Sequence, residues 1–215
     1  MPDMSNREES PVPSTGIAFI IGAFNRPGRL RTCLCSIADQ TFSDFEAVVV
    51  DNSDDPNSIQ RNREFVEYLK DPRIRYEHIG QRAFDPRVGI RSLYDASEIG
   101  VTMTTKPWLC FPNCDSYYCP WFAERMLNAA ERENWEFVFS NIVIGRPDIE
   151  HYTLDCQPWA CAVDKTCYMF KREWFPAEWP GKVDQYGVAD GVLVNTLVAR
   201  GIRVGKLSQV LVVHN

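Results

Sequence analysis

The apolar run Ile17-Ala-Phe-Ile-Ile-Gly22 is too short for a helix and lacks polar alternation, so it predicts a strand covered on both faces. Pro27 then stands where a first helical turn accepts proline, and Leu30, Leu34, Ile37 and Ala38 share one helical face. The pattern repeats at once. Phe45-Glu-Ala-Val-Val-Val50 predicts a second buried strand, and Ile59, Val66 and Leu69 mark the helix after it, with Asp54 or Asp55 as cap and Pro56 in its first turn. Arg73-Ile-Arg-Tyr-Glu-His78 predicts a third, more polar strand, and residues 79–88 a charged loop. Leu93, Ala96 and Ile99 define a further helix, Trp108-Leu-Cys-Phe-Pro112 a fourth strand, and Phe122, Met126, Ala129 and Ala130 the next helix. Beyond it, Phe137 to Ile144 and Lys165 to Phe170 read as strands with no regular helix between them.

Strands alternating with helices at this spacing predict an α/β fold, a Rossmann-like, mostly parallel sheet with right-handed crossovers and helices on its faces. The change of grammar in the second half predicts an elaborated region beside it. Neither an internal repeat nor a long linker interrupts the chain. With 215 residues, 45% of them hydrophobic, it can bury one substantial core. Residues 1–15 have neither period nor apolar segment and are expected to form a disordered leader. Residues 16–215 are expected to form a single domain, with a nucleotide-binding half at about 16–118 and an acceptor half at about 119–215.

Charge and cysteines narrow the classes. A formal charge of −6 leaves no basic stripe for a polymer of phosphates, which argues against a nucleic-acid partner. No apolar run approaches the ~20 residues that span a bilayer, so no transmembrane segment is expected. Without an export signal, a cytoplasmic location is expected, with the eight cysteines as thiols. They include no Cys-x2-Cys pair and only three histidines accompany them, so buried small hydrophobes are the favoured reading over a zinc site.

In an open parallel sheet, ligands collect beyond the carboxyl ends of the strands. Ala23-Phe24-Asn25-Arg26 follows the first strand, Asp51-Asn52-Ser53-Asp54-Asp55 the second, and Asn113-Cys114-Asp115 the fourth. Neither Gly-x-Gly-x-x-Gly nor Gly-x4-Gly-Lys-Ser/Thr is present, which argues against dinucleotide and P-loop chemistry. A diphosphate without a glycine cradle needs a hard cation with oxygen ligands, Mn2+ or Mg2+, and Asp115 is its natural ligand, with Asn113 offering a carbonyl oxygen. Asp115 as a cap for a helix near Pro120 is the competing reading. Arg82, Arg87 and Arg91 in the loop before the fourth strand are candidate diphosphate donors, or ordinary solvated charges. Trp159, Trp174 and Trp179 offer flat faces to sugar rings, or belong to the core.

The run Ile-Ile-Gly-Ala-Phe-Asn-Arg-Pro and the segment Gln40-Thr-Phe-Ser-Asp-Phe-Glu-Ala-Val-Val-Val-Asp-Asn-Ser resemble the first two strands and turns of family 2 of the glycosyltransferases, which have the GT-A fold. The likeness runs from about Thr15 to the C-terminus. Trp159-Ala-Cys-Ala-Val-Asp164 and Cys167-Tyr-Met-Phe-Lys-Arg172 are similar to the acceptor-side segment of its spore-coat polysaccharide type. The resemblance implies a nucleoside-diphosphate-sugar donor of UDP, dTDP or GDP type and a glycan or other hydroxyl acceptor. It implies donor contacts at Phe24, Asn25, Arg26 and Asp51, with Phe24 against the base and Asp51 on base or ribose. Asp115 takes the last position of the family's Asp-x-Asp metal motif; Asn113 departs from its first position, so weaker metal binding is expected. Asp190, in Gly187-Val-Ala-Asp190, stands at the catalytic base of an inverting transfer, and His214 where a further metal ligand is found. Trp159 and Asp164 fall on the acceptor side.

Alternatives stay open at this level. Asp190 precedes an apolar face of Leu193, Val194, Leu197 and Val198 and so also suits a helix cap. Asp164 is an auxiliary carboxylate or a turn residue. A catalytically silent nucleotide- or glycan-binding module is the second function, supported by Asn113 and opposed by the retention of Asp115 and Asp190 together. A metal-dependent nucleotidyltransferase would favour a glycine-rich basic loop after the first strand, which Gly22-Ala-Phe-Asn-Arg-Pro27 is not.

Overall fold

The protein is described by a computed structural model over residues 15–80, 84–85, 90–91, 93–146, 149–182 and 188–215. Its first half follows the periodicity closely. Strand β1 (Ile17–Ala23) is buried at every position. Helix α1 (Pro27–Ala38) turns Leu30, Cys33, Leu34 and Ile37 onto the sheet. Strand β2 (Phe45–Asp51) leads to helix α2 (Pro56–Leu69), where Asp55 rather than Asp54 is the cap, accepting from the backbone N–H groups of Asn57 and Ser58. After β3 (Ile74–His78) come a two-residue antiparallel pair, β4 (Phe84–Asp85) and β5 (Ile90–Arg91), then helix α3 (Leu93–Thr102) and β6 (Trp108–Cys110). Strand β1 pairs parallel with β2 on one side and β6 on the other, and β2 pairs parallel with β3.

The second half adds β7 (Ser116–Tyr118), α4 (Phe122–Arg132), β8 (Phe137–Arg146), β9 (Ile149–Leu154), β10 (Tyr168–Lys171), α5 (Ala189–Ala199) and β11 (Val204–His214). The main sheet has the order β3-β2-β1-β6-β10-β8-β11-β7, with β9 paired to β8. Its first four strands in that order, β3, β2, β1 and β6, are parallel as expected, and the remainder makes it mixed: β10 runs antiparallel to both β6 and β8, and β7 antiparallel to β11. A parallel neighbour requires a crossover of a dozen or more residues back to the starting edge. The chain reaches β10 through a loop and a short 3-10 turn, Lys165–Cys167, without returning, so β10 enters reversed. Because β10 reverses once between β6 and β8, and β11 is parallel to β8, the carboxyl ends of β1, β2, β6, β8 and β11 all lie along one edge.

Aromatic packing fixes the layers. Phe19 meets Phe45 and Tyr118 edge to face at centroid distances of 5.6 and 6.1 Å. Phe111 stands edge-on to Trp179 at 5.0 Å, and Phe170 and Phe175 continue that cluster. Trp179 is buried and its indole N–H donates to the Ala189 carbonyl at 3.1 Å, so it holds the start of α5 and faces no sugar. Trp174 packs partly buried against the same core.

Helix α5 reaches its position through one close approach. A Cβ on Gly191 would lie 2.2 Å from the Cα of Ala160. Gly191→Ala is therefore expected to push α5 off the 159–162 loop at a cost of about 1–3 kcal/mol. A thermal melt reads this as a lowered Tm, and an unchanged Tm would show that the loop yields freely. No helix among the described residues is long and apolar enough to cross a membrane.

Candidate active site

The candidate site residues gather at the edge where the strand ends meet. Phe24 follows β1 and is exposed. Asn25 has a left-handed backbone (φ +50°), which asparagine tolerates better than most residues. Its side chain clasps the turn after β2: Nδ2 donates to Asp54 at 2.6 Å, and Oδ1 accepts from the N–H groups of Asp54 and Asp55 at 3.2 Å. Asp51 lies beneath this turn with no exposed surface, accepting from the Ser53 N–H, Asn62 Nδ2 and the Tyr76 hydroxyl, each at 2.8 Å. A base or ribose hydroxyl would meet Asp51 only by displacing one of these donors.

Asp115 is the hub of the site. It follows β6 by a short turn, and the strand β7 separates it from α4, whose cap position is Trp121. The helix-cap reading of Asp115 is thereby removed. Its Oδ2 accepts from Arg26 at 3.0 Å and Arg29 at 3.1 Å, and its Oδ1 lies 3.3 Å from Nε2 of His214, the last residue of β11. The Asp115 side chain is 8% exposed whereas those of Arg26 and Arg29 are 57% and 43% exposed. The Asp115 carboxylate is buried but both guanidinium groups keep solvent-exposed N–H donors, which leaves them open to a phosphate.

His214 bridges two carboxylates. Its Nδ1 lies 3.2 Å from Asp164 Oδ2, while Asp164 Oδ1 accepts from the N–H and hydroxyl of Thr166 at 2.9 and 2.7 Å. Asp164 thus both caps the short 3-10 turn and orients His214. Asp190, in the first turn of α5, accepts the backbone N–H of Lys165 at 3.1 Å on Oδ2. The cap position of α5 is Val188, which makes no side-chain cap bond, so Asp190 is not that helix's cap. Asp190 Oδ1 is buried with no hydrogen bond of ordinary geometry among the described residues.

Environment drives these groups apart. Burial pushes the Asp190 carboxyl up and the charge of Asp164 adds to it; the Lys165 charge and N–H and the nearby Tyr94 hydroxyl pull back, leaving it at about 6. Burial would also raise Asp164, yet His214 and Thr166 bring it down to about 2. Burial would lower His214, but Asp115 and Asp164 raise it to about 10. Asp115 is lowered, its burial overcome by His214 and Arg26. The two carboxylates are thus held apart, Asp164 below the ordinary carboxylate value and Asp190 above it.

Asp164, Asp190 and His214 line one cleft of about 570 Å³ together with Arg26 and Arg29, a volume within the range of small-molecule sites. A larger cleft of about 880 Å³ lies at the amino ends of β1 and β6, among Thr15, Trp135 and Arg172, away from these groups. Trp159 is 52% exposed and does not line the 570 Å³ cleft, whereas Tyr152 does. Arg82 and Arg87 lie outside the described residues, as does the side chain of Arg91. Arg29 was missed in sequence although its spacing from Arg26, one helical turn, would have revealed it. Lys165 gave no sequence signal.

Among the described residues no three His, Cys, Asp or Glu side chains form a metal site by themselves. The donor set nevertheless fits an ion completed by phosphate oxygens. Asp164 takes one ring nitrogen of His214 and aims the other at Asp115, the carboxylate–histidine arrangement that orients metal ligands. Asn113 is joined to β1 by a bridge to Gly22, and its Oδ1 is buried with no partner among the described residues. The cysteines are unpaired; Cys156 and Cys167 come nearest, at 3.6 Å between sulfurs.

Residues 18–175 match the family model of glycosyl transferase family 2. Curated relatives include the PGL/p-HBAD biosynthesis glycosyltransferases of Mycobacterium bovis (strain BCG / Pasteur 1173P2) and Mycobacterium tuberculosis (strain ATCC 25177 / H37Ra), each 27% identical over 157 residues, 72% of this chain and 54% of the relative. The chain therefore spans about half the length of the curated relatives it matches. Its fold is similar to S. aureus TarS 1-349 in complex with UDP, with a TM-score of 0.70 and 13% identity over 92% of this chain and 60% of that one. It is also similar to the mannosyltransferase PcManGT from Pyrobaculum calidifontis in complex with GDP-Man and Mn2+, with a TM-score of 0.68 and 14% identity over 95% of this chain and 57% of that one. The mixed sheet with flanking helices is the GT-A fold, and the chain belongs to glycosyl transferase family 2.

Proposed function

We propose that this chain transfers a sugar from a nucleoside-diphosphate-sugar to an acceptor hydroxyl, inverting the anomeric centre, with Asp190 as general base. The observation that carries the reading is the convergence of Asp190, Asp164, His214, Arg26 and Arg29 on one cleft beyond the strand ends. Arg26 and Arg29 bind the diphosphate, leaving Asp115 for it. Phe24 and Asn25 border the base, and Asp51 holds the turn on which the base rests. The donor is of UDP, dTDP or GDP type; structural neighbours solved with UDP and with GDP-Man support the first and last of these. The acceptor is a glycan or another hydroxyl compound, bordered by Tyr152 and, further out, Trp159.

Asp115 and His214 are the residues that would hold Mn2+ or Mg2+, with Asn113 beside them and Asp164 orienting His214. A bound divalent ion would supply Lewis-acid stabilisation of the departing nucleoside diphosphate. Asp190 takes the proton of the acceptor hydroxyl as that oxygen approaches the sugar from the face opposite the phosphate. Asp164, held near 2 by His214 and Thr166, is a much weaker proton acceptor than Asp190. We place the protein in the cytoplasm, where its cysteines stay thiols.

The test is nucleoside diphosphate release from a panel of UDP-, dTDP- and GDP-sugars with and without Mn2+, with the product anomer read by NMR. Release with an inverted anomer is expected. Ligand-dependent melting with no release from any sugar would favour the silent binding module. The rate is expected to rise with pH through about 6, because Asp190 must be ionised to accept a proton and its carboxyl titrates there. A profile flat across that range would remove Asp190 from the base role.

A further inference from the structure

Lys165 is a buried cation that the reaction as described leaves unused. It is 3% exposed and lies in the 3-10 turn between Asp164 and β10. A buried ammonium is costly unless neighbouring charge answers it. Its Nζ donates to the Phe111 carbonyl, just past β6, at 3.3 Å. A carbonyl dipole does not balance a full charge. Nζ makes no ion pair among the described residues; the carboxylate tied to this lysine is Asp190, whose Oδ2 receives its backbone N–H at 3.1 Å and whose Oδ1 is buried without a hydrogen bond of ordinary geometry among the described residues. One residue therefore supplies Asp190 with a fixed donor and, beyond ion-pair distance, a buried positive charge.

Other groups face Asp190 as well. Tyr94 approaches from α3, Asp164 from the turn and Tyr168 from β10, while Arg26, Arg29 and His214 line the same cleft. The fixed anion Asp164 opposes ionisation of Asp190, and Lys165 opposes Asp164. We propose that Lys165 is a positioning residue for the transfer: its buried ammonium offsets Asp164, and its N–H fixes the carboxylate, so that Asp190 stands ionised at neutral pH. The proposal rests on Asp190 being the base. In that step the acceptor O–H proton passes to the Asp190 carboxylate and the acceptor oxygen bonds to the anomeric carbon. The bond from that carbon to the phosphate oxygen breaks, and its electron pair leaves with the nucleoside diphosphate.

Lys165→Met keeps the length of the side chain and removes its charge. The rate is measured against pH on whichever of UDP-GlcNAc, UDP-glucose or GDP-mannose the wild type turns over, with water as acceptor. The acid fall-off is expected to move upward by roughly one pH unit, with donor KM unchanged and the rate restored at alkaline pH. A pH-independent loss of rate, with the fall-off unmoved, would overturn the proposal. The same titration is read without turnover from the protonated-carboxyl infrared band that Asp190→Asn deletes, and its midpoint should move likewise in Lys165→Met and in Lys165→Gln. Should neither variant fold, the wild-type band decides: disappearance on approaching neutral pH supports the proposal, and persistence above it refutes it. If Asp190→Asn turns over donor at the wild-type rate, the base reading fails. If Asp190→Asn is inactive but the Lys165 variants leave the titration unmoved, only the role of Lys165 fails.

Discussion

Asp190→Asn is expected to lower sugar transfer at least a hundredfold while leaving donor binding near wild type, since removing a general base commonly costs 10²–10⁴-fold. Asparagine keeps the size and an oxygen that accepts the Lys165 N–H, but it cannot take a proton. Melting should not suffer, because Val188 rather than Asp190 stands at the cap of α5. The sign of the linkage points the same way. Asp190 has a folded-state pKa of about 6, raised above the ordinary 3.8 by burial and by Asp164. Its contribution to stability is full below the ordinary value and is lost as pH rises through about 6. At neutral pH the ionised side chain is thus a burden on the fold, and Asp190→Asn should melt at an equal or higher temperature. Transfer at close to the wild-type rate would end the base assignment and turn the search to Asp164, the other carboxylate of the cleft, held by His214 and Thr166.

Asp115→Ala is expected to abolish metal-dependent binding of a nucleoside diphosphate, read by calorimetry with and without Mn2+. The structure adds a second consequence. Asp115 neutralises Arg26, Arg29 and His214 together. Alanine leaves three cations facing one another, so the metal-free protein should melt lower than wild type, and Asp115→Asn should restore part of the loss by accepting a hydrogen bond without charge. Retained metal-dependent affinity in a folded Asp115→Ala protein would exclude it as a ligand. Asn113→Asp should tighten the metal, because hard cations favour anionic oxygens. The same change places a carboxylate where Asn113 Oδ1 is buried without a partner among the described residues, so it should destabilise the metal-free protein.

The first half of the fold was readable from hydrophobic periodicity because β1, β2 and β6 are covered on both faces and the helices between them present apolar faces to the sheet. Phe45-Glu-Ala-Val-Val-Val50 has no other stable placement. Strands β7 and β9 carried no such signature: Ser116–Tyr118 is three residues long, and Ile149–Leu154 includes Glu150, His151 and Thr153. Their pairing is tertiary: β7 adds to the outer edge of β11, and β9 to the stretch of β8 that extends beyond β10. The mixed direction of the sheet was equally invisible, since periodicity does not record strand direction and the loop into β10 has no crossover helix to reveal it.

The site divides in the same way. Residue type and position at strand ends selected Phe24, Asn25, Arg26 and Asp115 from sequence, because a parallel array delivers its strand ends to one edge, whereas Asp164, Asp190 and His214 were picked out by the family resemblance. Choosing between cap and chemistry required the tertiary structure. A cap is a contact with the next few residues of the chain, whereas the partners of Asp115, Asp164 and Asp190 include Arg26, His214 and Lys165, which come from distant segments. The proton affinity of each carboxylate is set by burial and by charges brought near through folding, and neither quantity exists until the sheet has assembled.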